Sequence, residues 1–329
     1  MRTAHLSNQP TPRALPRRFR QPRLLLAGCG DVAARIAQQL NAQGERYRIR
    51  ALLRHPPHSP AWAQWRALNT TPIAADLDQP QSLRRLRGIA NSVIYLAPPT
   101  ENRPTDRRLN HFLAALHGGR SLPRHLLLIG TTGVYGDRGG ALIDETSAVQ
   151  PQTARGQRRV SAEQILRRWR RQRSRAQLAR RPEQRQTGGI LRVPGIYAAN
   201  RLPVERLRAG TPALRPEDDT WTNHIHADDL ARICRLALVR SRTLRTINTC
   251  DHSQLMMGDW FDAVADATGL PRPERLPRAL LKERVSPMLY SFMSESRRLD
   301  NQRLLQELRI RLRYPTVHDF LATLKVSTC

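Results

Sequence analysis

At 329 residues, with 40% apolar side chains, the chain is long enough to bury a large core as one elaborated α/β domain or two domains. It contains no run near the ~18 consecutive apolar residues that a membrane span needs. The formal net charge is +28, yet all but Lys282 and Lys325 of the 55 basic residues are arginine. So skewed a usage reads as a compositional bias of the coding genome, and neither an RRM-like aromatic motif nor a zinc finger accompanies it.

Residues 1–22 are Pro- and Arg-rich without hydrophobic periodicity and are expected to form a disordered basic tail. Arg17-Arg18 ahead of Cys29 imitates a twin-arginine lipoprotein signal. The apolar run before Cys29 covers only Leu24 to Ala27, however, short of the ~7 residues of a signal core. Export is therefore rejected and a cytoplasmic location expected. From there strands and helices alternate, as a parallel sheet with crossover helices requires. Strands are predicted at Arg23–Ala27, 47–53, Thr71–Ala74, 92–97, 125–130 and 189–193, and helices at 31–42, 81–87, 106–116 and 159–171. After Pro194 the rhythm changes: helices at 227–239 and Met257–Thr268 flank a short strand at 246–249, and the end is helical around 301–308 and 316–324. The expected fold is α/β, a Rossmann-type doubly wound parallel sheet. Residues 23–193 form its dinucleotide-binding part and 194–329 a smaller substrate-side lobe, interleaved as one compact unit. Arginines crowd residues 155–185 and read as a solvated helix face, with at most weak, non-specific attraction for nucleic acid. Cys29, Cys234, Cys250 and Cys329 form no C-x-x-C pair and no zinc spacing, so free thiols are expected and no metal.

The first strand runs into Gly28-Cys29-Gly30-Asp31-Val32-Ala33, the pattern G-x-G-x-x-A. Gly28 takes the tight turn out of the strand, Gly30 lets a pyrophosphate approach the backbone, and Ala33 lets the helix pack closely on the strand. Asp31 and Val32 open that helix, whose free N–H groups and partial positive charge favour phosphate. The second strand ends Leu52-Leu53-Arg54-His55-Pro56, without the carboxylate that usually holds an NAD ribose about 20 residues after the glycines. Arg54 in that place favours NADP(H) over NAD(H).

Further segments follow in an order that resembles the extended and atypical short-chain dehydrogenase/reductases, the NAD-dependent epimerase/dehydratase-like group. They are Ala75-Asp76-Leu77, Tyr95-Leu96-Ala97, Gly130-Thr131-Thr132-Gly133-Val134-Tyr135-Gly136-Asp137, Leu191-Arg192-Val193-Pro194-Gly195-Ile196-Tyr197 and Ile225-His226-Ala227-Asp228-Asp229-Leu230. The resemblance runs from Arg23 almost to the C terminus. It implies that Asp76 and Leu77 lie beside the adenine and Ala97 near the cofactor ribose. It also implies that Thr131, four residues before Tyr135, offers the hydroxyl that hydrogen-bonds a substrate carbonyl or hydroxyl.

The departure from the family concerns its Tyr-x-x-x-Lys pair, in which the lysine lowers the tyrosine pKa and holds the ribose. Aligned on Glu163, the helix places Arg155 where the tyrosine belongs and Arg159 where the lysine belongs. None of Tyr47, Tyr95, Tyr135, Tyr197, Tyr290 and Tyr314 has a lysine four residues on. Arg159 can still hold a ribose, whereas Arg155 gives up no proton near neutrality. Tyr135, Tyr197, His224 and His226 remain as proton donors from another direction. Two functions follow: an NADP(H)-dependent oxidoreductase or epimerase acting on a small carbonyl or hydroxyl substrate, or a catalytically silent NADP(H)-binding sensor or scaffold with a basic surface.

Overall fold

The computed structural model describes residues 21–44, 47–101, 103–117, 122–178, 187–240 and 244–325. Its first half contains β1 (Arg23–Ala27), α1 (Asp31–Ala42), β2 (Arg48–Leu53), α2 (Pro60–Ala67), β3 (Thr71–Ala74), β4 (Ser92–Tyr95), α3 (Arg107–His117), β5 (His125–Ile129), β6 (Leu142–Ile143) and α4 (Ala154–Leu178). Then come β7 (Gly189–Arg192), β8 (Gly195–Tyr197), α5 (Val204–Arg208), β9 (Ala213–Leu214), β10 (Trp221–Thr222), β11 (His224–His226), α6 (Ala227–Arg240) and β12 (Arg245–Asn248). The chain continues through β13 (Leu255–Met256), α7 (Met257–Thr268), β14 (Arg275–Leu276), α8 (Arg278–Arg284), α9 (Pro287–Met293), β15 (Arg298–Leu299), α10 (Gln302–Leu308) and α11 (Val317–Lys325).

Seven parallel strands form one sheet in the order β12-β7-β5-β4-β1-β2-β3. Chain order reverses at β1, which pairs with β2 on one side and β4 on the other. A crevice opens there at the carboxyl ends of the strands. Leu24, Leu25, Leu26 and Ala27 are fully buried because both faces of the sheet are covered. Alternation sends Leu24 and Leu26 into the core with α1 and α6, and Leu25 and Ala27 into the core with α3 and α4. A third core holds Tyr197, Leu207, Leu214, Trp260, Phe261, Leu281, Val317 and Phe320. It is the lobe built after Pro194.

Several elements differ from the sequence reading. The strand expected inside the lobe is β12, which pairs with β7 as the edge of the main sheet, and α6 packs on α1. Residues beyond Pro194 thus complete the main sheet. Helix α2 is additional: Ser59 stands at its N-cap, Pro60 opens it, and Trp62 and Trp65 bury three positions apart. The 82–86 segment is a 3-10 helix that buries Leu83 and Leu86. Helix α4 starts at Ala154 and takes both Arg155 and Arg159 into its first turns. The expected tail lies outside the described residues apart from Gln21 and Pro22, as do residues 179–186 of the arginine-rich stretch and Cys329.

One polar network ties the carboxyl ends together. Arg192 at the end of β7 donates from Nε to Glu163 Oε1 at 2.9 Å and from Nη2 to Oε2 at 2.8 Å, with both side chains buried. Burial opposes the Arg192 charge, but the Glu163 carboxylate outweighs it and moves its pKa further up. The guanidinium lies 4.7 Å over the Tyr135 ring, and the Tyr135 hydroxyl donates to Asn248 Oδ1 at 2.7 Å. The Asn248 backbone N–H donates to Glu145 Oε1 at 2.8 Å. Glu163→Gln is expected to destabilise the protein by about 3–5 kcal/mol, because it leaves a buried guanidinium without its counter-charge. Glu163→Leu/Arg192→Met should lose less than the single variant; urea denaturation of the three proteins checks both expectations.

Candidate functional site

Gly28 has φ +99°, a left-handed value that side chains rarely adopt, and a Cβ there would collide with the backbone of Leu96 and Ala97. The glycine lets the ends of β1 and β4 meet, where Leu96 N and Ala97 N both donate to Ala27 O at 2.6 and 3.1 Å. Gly30 is the opposite case. It stands at the N-cap of α1 with no side-chain cap, and a Cβ built on it would meet nothing within 4 Å. The N-terminal turn of α1 therefore faces an open cradle, while Ala33 is fully buried and Val32 nearly so. Asp31 in that turn is tied to Arg35 at 3.1 Å and Arg201 at 3.5 Å. Burial raises its pKa, but Arg35, Asn200 and Arg201 hold it below the usual carboxylate value.

Beside the turn lies a cleft of about 270 Å³, lined among others by Gly28, Leu53, Arg54, Asp76, Leu77 and Arg108. Arg54 is exposed at its edge. Asp76 Oδ1 accepts the Asp78 amide at 2.9 Å, so its carboxylate folds into its own loop. Arg108 was not foreseen, since nothing in its local pattern separates it from the chain's other arginines. Its guanidinium forks onto Asp78 at 2.9 and 2.5 Å and reaches Pro98 O at 3.2 Å.

Ala97 and Thr131 follow the ends of β4 and β5. Thr131 caps the 3-10 turn Thr132–Tyr135, its Oγ1 accepting from Gly133 N at 3.3 Å. Helix α4 packs on this turn because Gly156 has no side chain; a Cβ there would stand 2.8 Å from Gly133 O. Arg159 Nη1 donates to Ile129 O at 3.2 Å. Burial pushes the Arg159 pKa down, with Asp106 and Tyr95 opposing. Arg155, one turn earlier, lays its guanidinium 3.6 Å over the Phe292 ring of α9, and burial lowers its pKa too. Thr131, Arg155 and Arg159 thus lie on the turn after β5 and the first turns of α4, whereas Arg54, Asp76 and Leu77 line the cleft beside Gly28.

The remaining candidates sit in packed interior. Tyr135 is fully buried with its hydroxyl committed to Asn248, and burial pushes its pKa up. Tyr197, His224 and His226 belong to an aromatic cluster in the lobe: His224 lies 4.6 Å from Trp260, and His226 4.3 Å from Tyr314 and 4.7 Å from Phe320. Burial pushes the His224 pKa down to about 3 and that of His226 to about 4, so both are neutral at pH 7. The paired aspartates have structural work: Asp228 holds Arg35 of α1 at 2.6 Å, and Asp229 accepts the amides of Arg313 and Tyr314 at 2.8 and 2.9 Å. Cys29, Cys234 and Cys250 are free, and burial pushes the Cys29 thiol up to about 12. No group of three metal-ligating side chains converges among the described residues, and no described helix is long and apolar enough to cross a membrane.

These features define a Rossmann-type α/β protein with a crevice at its topological switch point. No family model and no curated protein matches the sequence. Among solved structures, a functionally unknown conserved protein from Silicibacter pomeroyi is 27% identical, with a TM-score of 0.71 over 93% of this chain and 99% of that one. A protein from Methylobacillus flagellatus, provisionally described as an NAD-dependent epimerase/dehydratase, is 25% identical with a TM-score of 0.65, covering 94% and 99%. The UDP-glucose 4-epimerase of Thermotoga maritima, solved with UDP-glucose, shares 15% identity and a TM-score of 0.70, covering 93% and 97%. The fold is that of the NAD-dependent epimerase/dehydratase group along nearly the whole chain.

Burial of the two histidines gives stability a pH dependence. Below pH 6.5 the unfolded chain takes up protons that the native imidazoles refuse down to about pH 4 and 3, so their contribution is full above 6.5 and is lost on acidification. The slope is up to about 1.4 kcal/mol per pH unit for each histidine. Urea denaturation from pH 7 to 4 should show the parent losing stability relative to His224→Gln/His226→Gln. Parallel profiles would mean that neither ring stays neutral on folding.

Proposed function

We propose that the protein binds NADP(H) along this crevice and acts on a carbonyl or hydroxyl carbon of a small molecule, as an oxidoreductase or epimerase of atypical short-chain dehydrogenase type. The observation that carries the reading is the cradle at Gly30: open space above an uncapped helix N-terminus, at the switch point of the sheet, is what a pyrophosphate requires. Gly28, Gly30, Val32 and Ala33 would shape the phosphate turn, and Asp76 and Leu77 the adenine side of the cleft. Arg54 would meet a 2′-phosphate, with Arg108 lining the same cleft. A bound nicotinamide would supply the hydride acceptor or donor, with Ala97 and Arg159 beside its ribose. Thr131 would orient the substrate oxygen through a hydroxyl that both donates and accepts. The buried thiols suit a reducing, cytoplasmic setting.

Arg155 and Arg159 in the family's tyrosine and lysine places support slow turnover, since a guanidinium keeps its proton at neutral pH. The same observation favours a second reading, a catalytically silent NADP(H) sensor or scaffold.

Nicotinamide fluorescence titration should give NADPH at least about tenfold tighter binding than NADH, with the preference lost in Arg54→Ala. Gly30→Val should fold normally, because its side chain enters open space, and bind neither nucleotide. Equal affinities in the parent overturn the role of Arg54; normal binding by Gly30→Val overturns that of the cradle.

Turnover is tested separately. Arg155→Tyr/Arg159→Lys, assayed by NADPH absorbance against carbonyl and sugar-nucleotide substrates, should exceed the parent by roughly 10²-fold or more, the usual weight of general acid–base catalysis. Fast parent turnover that survives Arg155→Ala would place the proton donor elsewhere.

A further inference from the structure

We propose that Arg155 and Arg159 form an anion site at the reacting end of the crevice, gripping an oxyanion, a carboxylate or a phosphate, that the substrate carries close to the carbon that reacts. The inference rests on the cofactor reading above and adds the class of substrate.

Four residues apart on α4, the two arginines present their side chains on one face of the helix. Among the described residues neither has a carboxylate within ion-pair distance, although both are partly buried. Arg155 is held flat against Phe292 at 3.6 Å, and Arg159 spends one donor on Ile129 O at 3.2 Å. Of the nearby acids, Glu295 pairs through Oε2 with Arg297 at 2.9 Å while its buried Oε1 has no partner, and Asp106 accepts the Leu109 amide at 2.9 Å. Close to Arg159, the fully buried Tyr95 hydroxyl has no hydrogen-bond partner. Among the described residues, both guanidinium groups therefore keep donors that no carboxylate engages. Partly desolvated cations of this kind are stabilised by an anion that replaces lost hydration. The guanidinium fork fits the two oxygens of a carboxylate or phosphate.

The stack on Phe292 gives the site its position. Arg155 belongs to α4 on the nucleotide side, whereas Phe292 belongs to α9 of the lobe, so the contact spans the join between the two parts. An oxyanion bound there would touch both. The aromatic face holds the Arg155 guanidinium, which is planar in itself and so presents a fork for a bidentate contact.

Isothermal titration of the full-length protein with inorganic phosphate and with malonate, at constant ionic strength, tests this with and without saturating NADPH. Saturable binding of either anion is expected, and which one saturates at lower concentration identifies the oxyanion. Arg155→Gln and Arg159→Gln should each weaken it at least about tenfold. Arg155→Lys should recover part of the loss, and Arg168→Gln on the exposed side of α4 should change nothing. No saturable binding, or equal affinity in the parent and Arg155→Gln, overturns the proposal. NADPH affinity, read separately by fluorescence, should stay within about twofold in Arg155→Gln. A parent that binds malonate or phosphate through Arg155 but no NADPH would overturn the cofactor reading alone.

Discussion

The carboxyl end of the sheet is organised around one buried ion pair. Glu163 and Arg192 meet in a two-pronged contact inside the protein, where neither charge is tolerable without the other. Because Arg192 is held there, its guanidinium can cover Tyr135, whose buried hydroxyl donates to Asn248. Helix α4, strands β7 and β12 and the turn after β5 are thereby fixed relative to one another. Arg155 and Arg159 ride on the same helix as Glu163, so their placement at the crevice inherits that rigidity.

On the other side of the crevice the governing condition is closeness of backbone. Gly28 allows β1 to end against β4, and the same absence of side chain at Gly30 leaves space rather than contact. A carboxylate in the first turn of α1 would weaken a phosphate site if it stood alone. Asp31 is instead surrounded by Arg35, Arg201 and Asn200, which offset its charge at that end of the helix. Arg35 in turn is held by Asp228, so the segment that begins α6 secures α1.

Much of this was legible beforehand where local pattern and tertiary role coincide. The run of leucines before Gly28 can only be a strand buried on both faces, and the glycine spacing announces the turn that follows. The missed features lack such coincidence. Helix α2 is eight residues long and its two tryptophans are too few to show a period. Arg108 acts through a partner thirty residues away, and Tyr135 through one 113 residues away, neither visible in a local window. The start of α4 was obscured by Pro151 and Gly156, the latter being the position where the helix must approach the Gly133 carbonyl. Tyr197, His224 and His226 looked chemically versatile in sequence; what the sequence did not carry is the aromatic shell that keeps them dry.

The late arrival of β12 has a consequence for how the molecule is made. During synthesis β7 emerges before β12, and the intervening chain builds much of the lobe first. Until Arg245–Asn248 is available, β7 is an open edge presenting Ile190 and Leu191 with unpaired backbone groups, a template for pairing with another nascent chain. A fragment cut at Pro194 would expose the aggregation-prone edge that the full-length chain conceals.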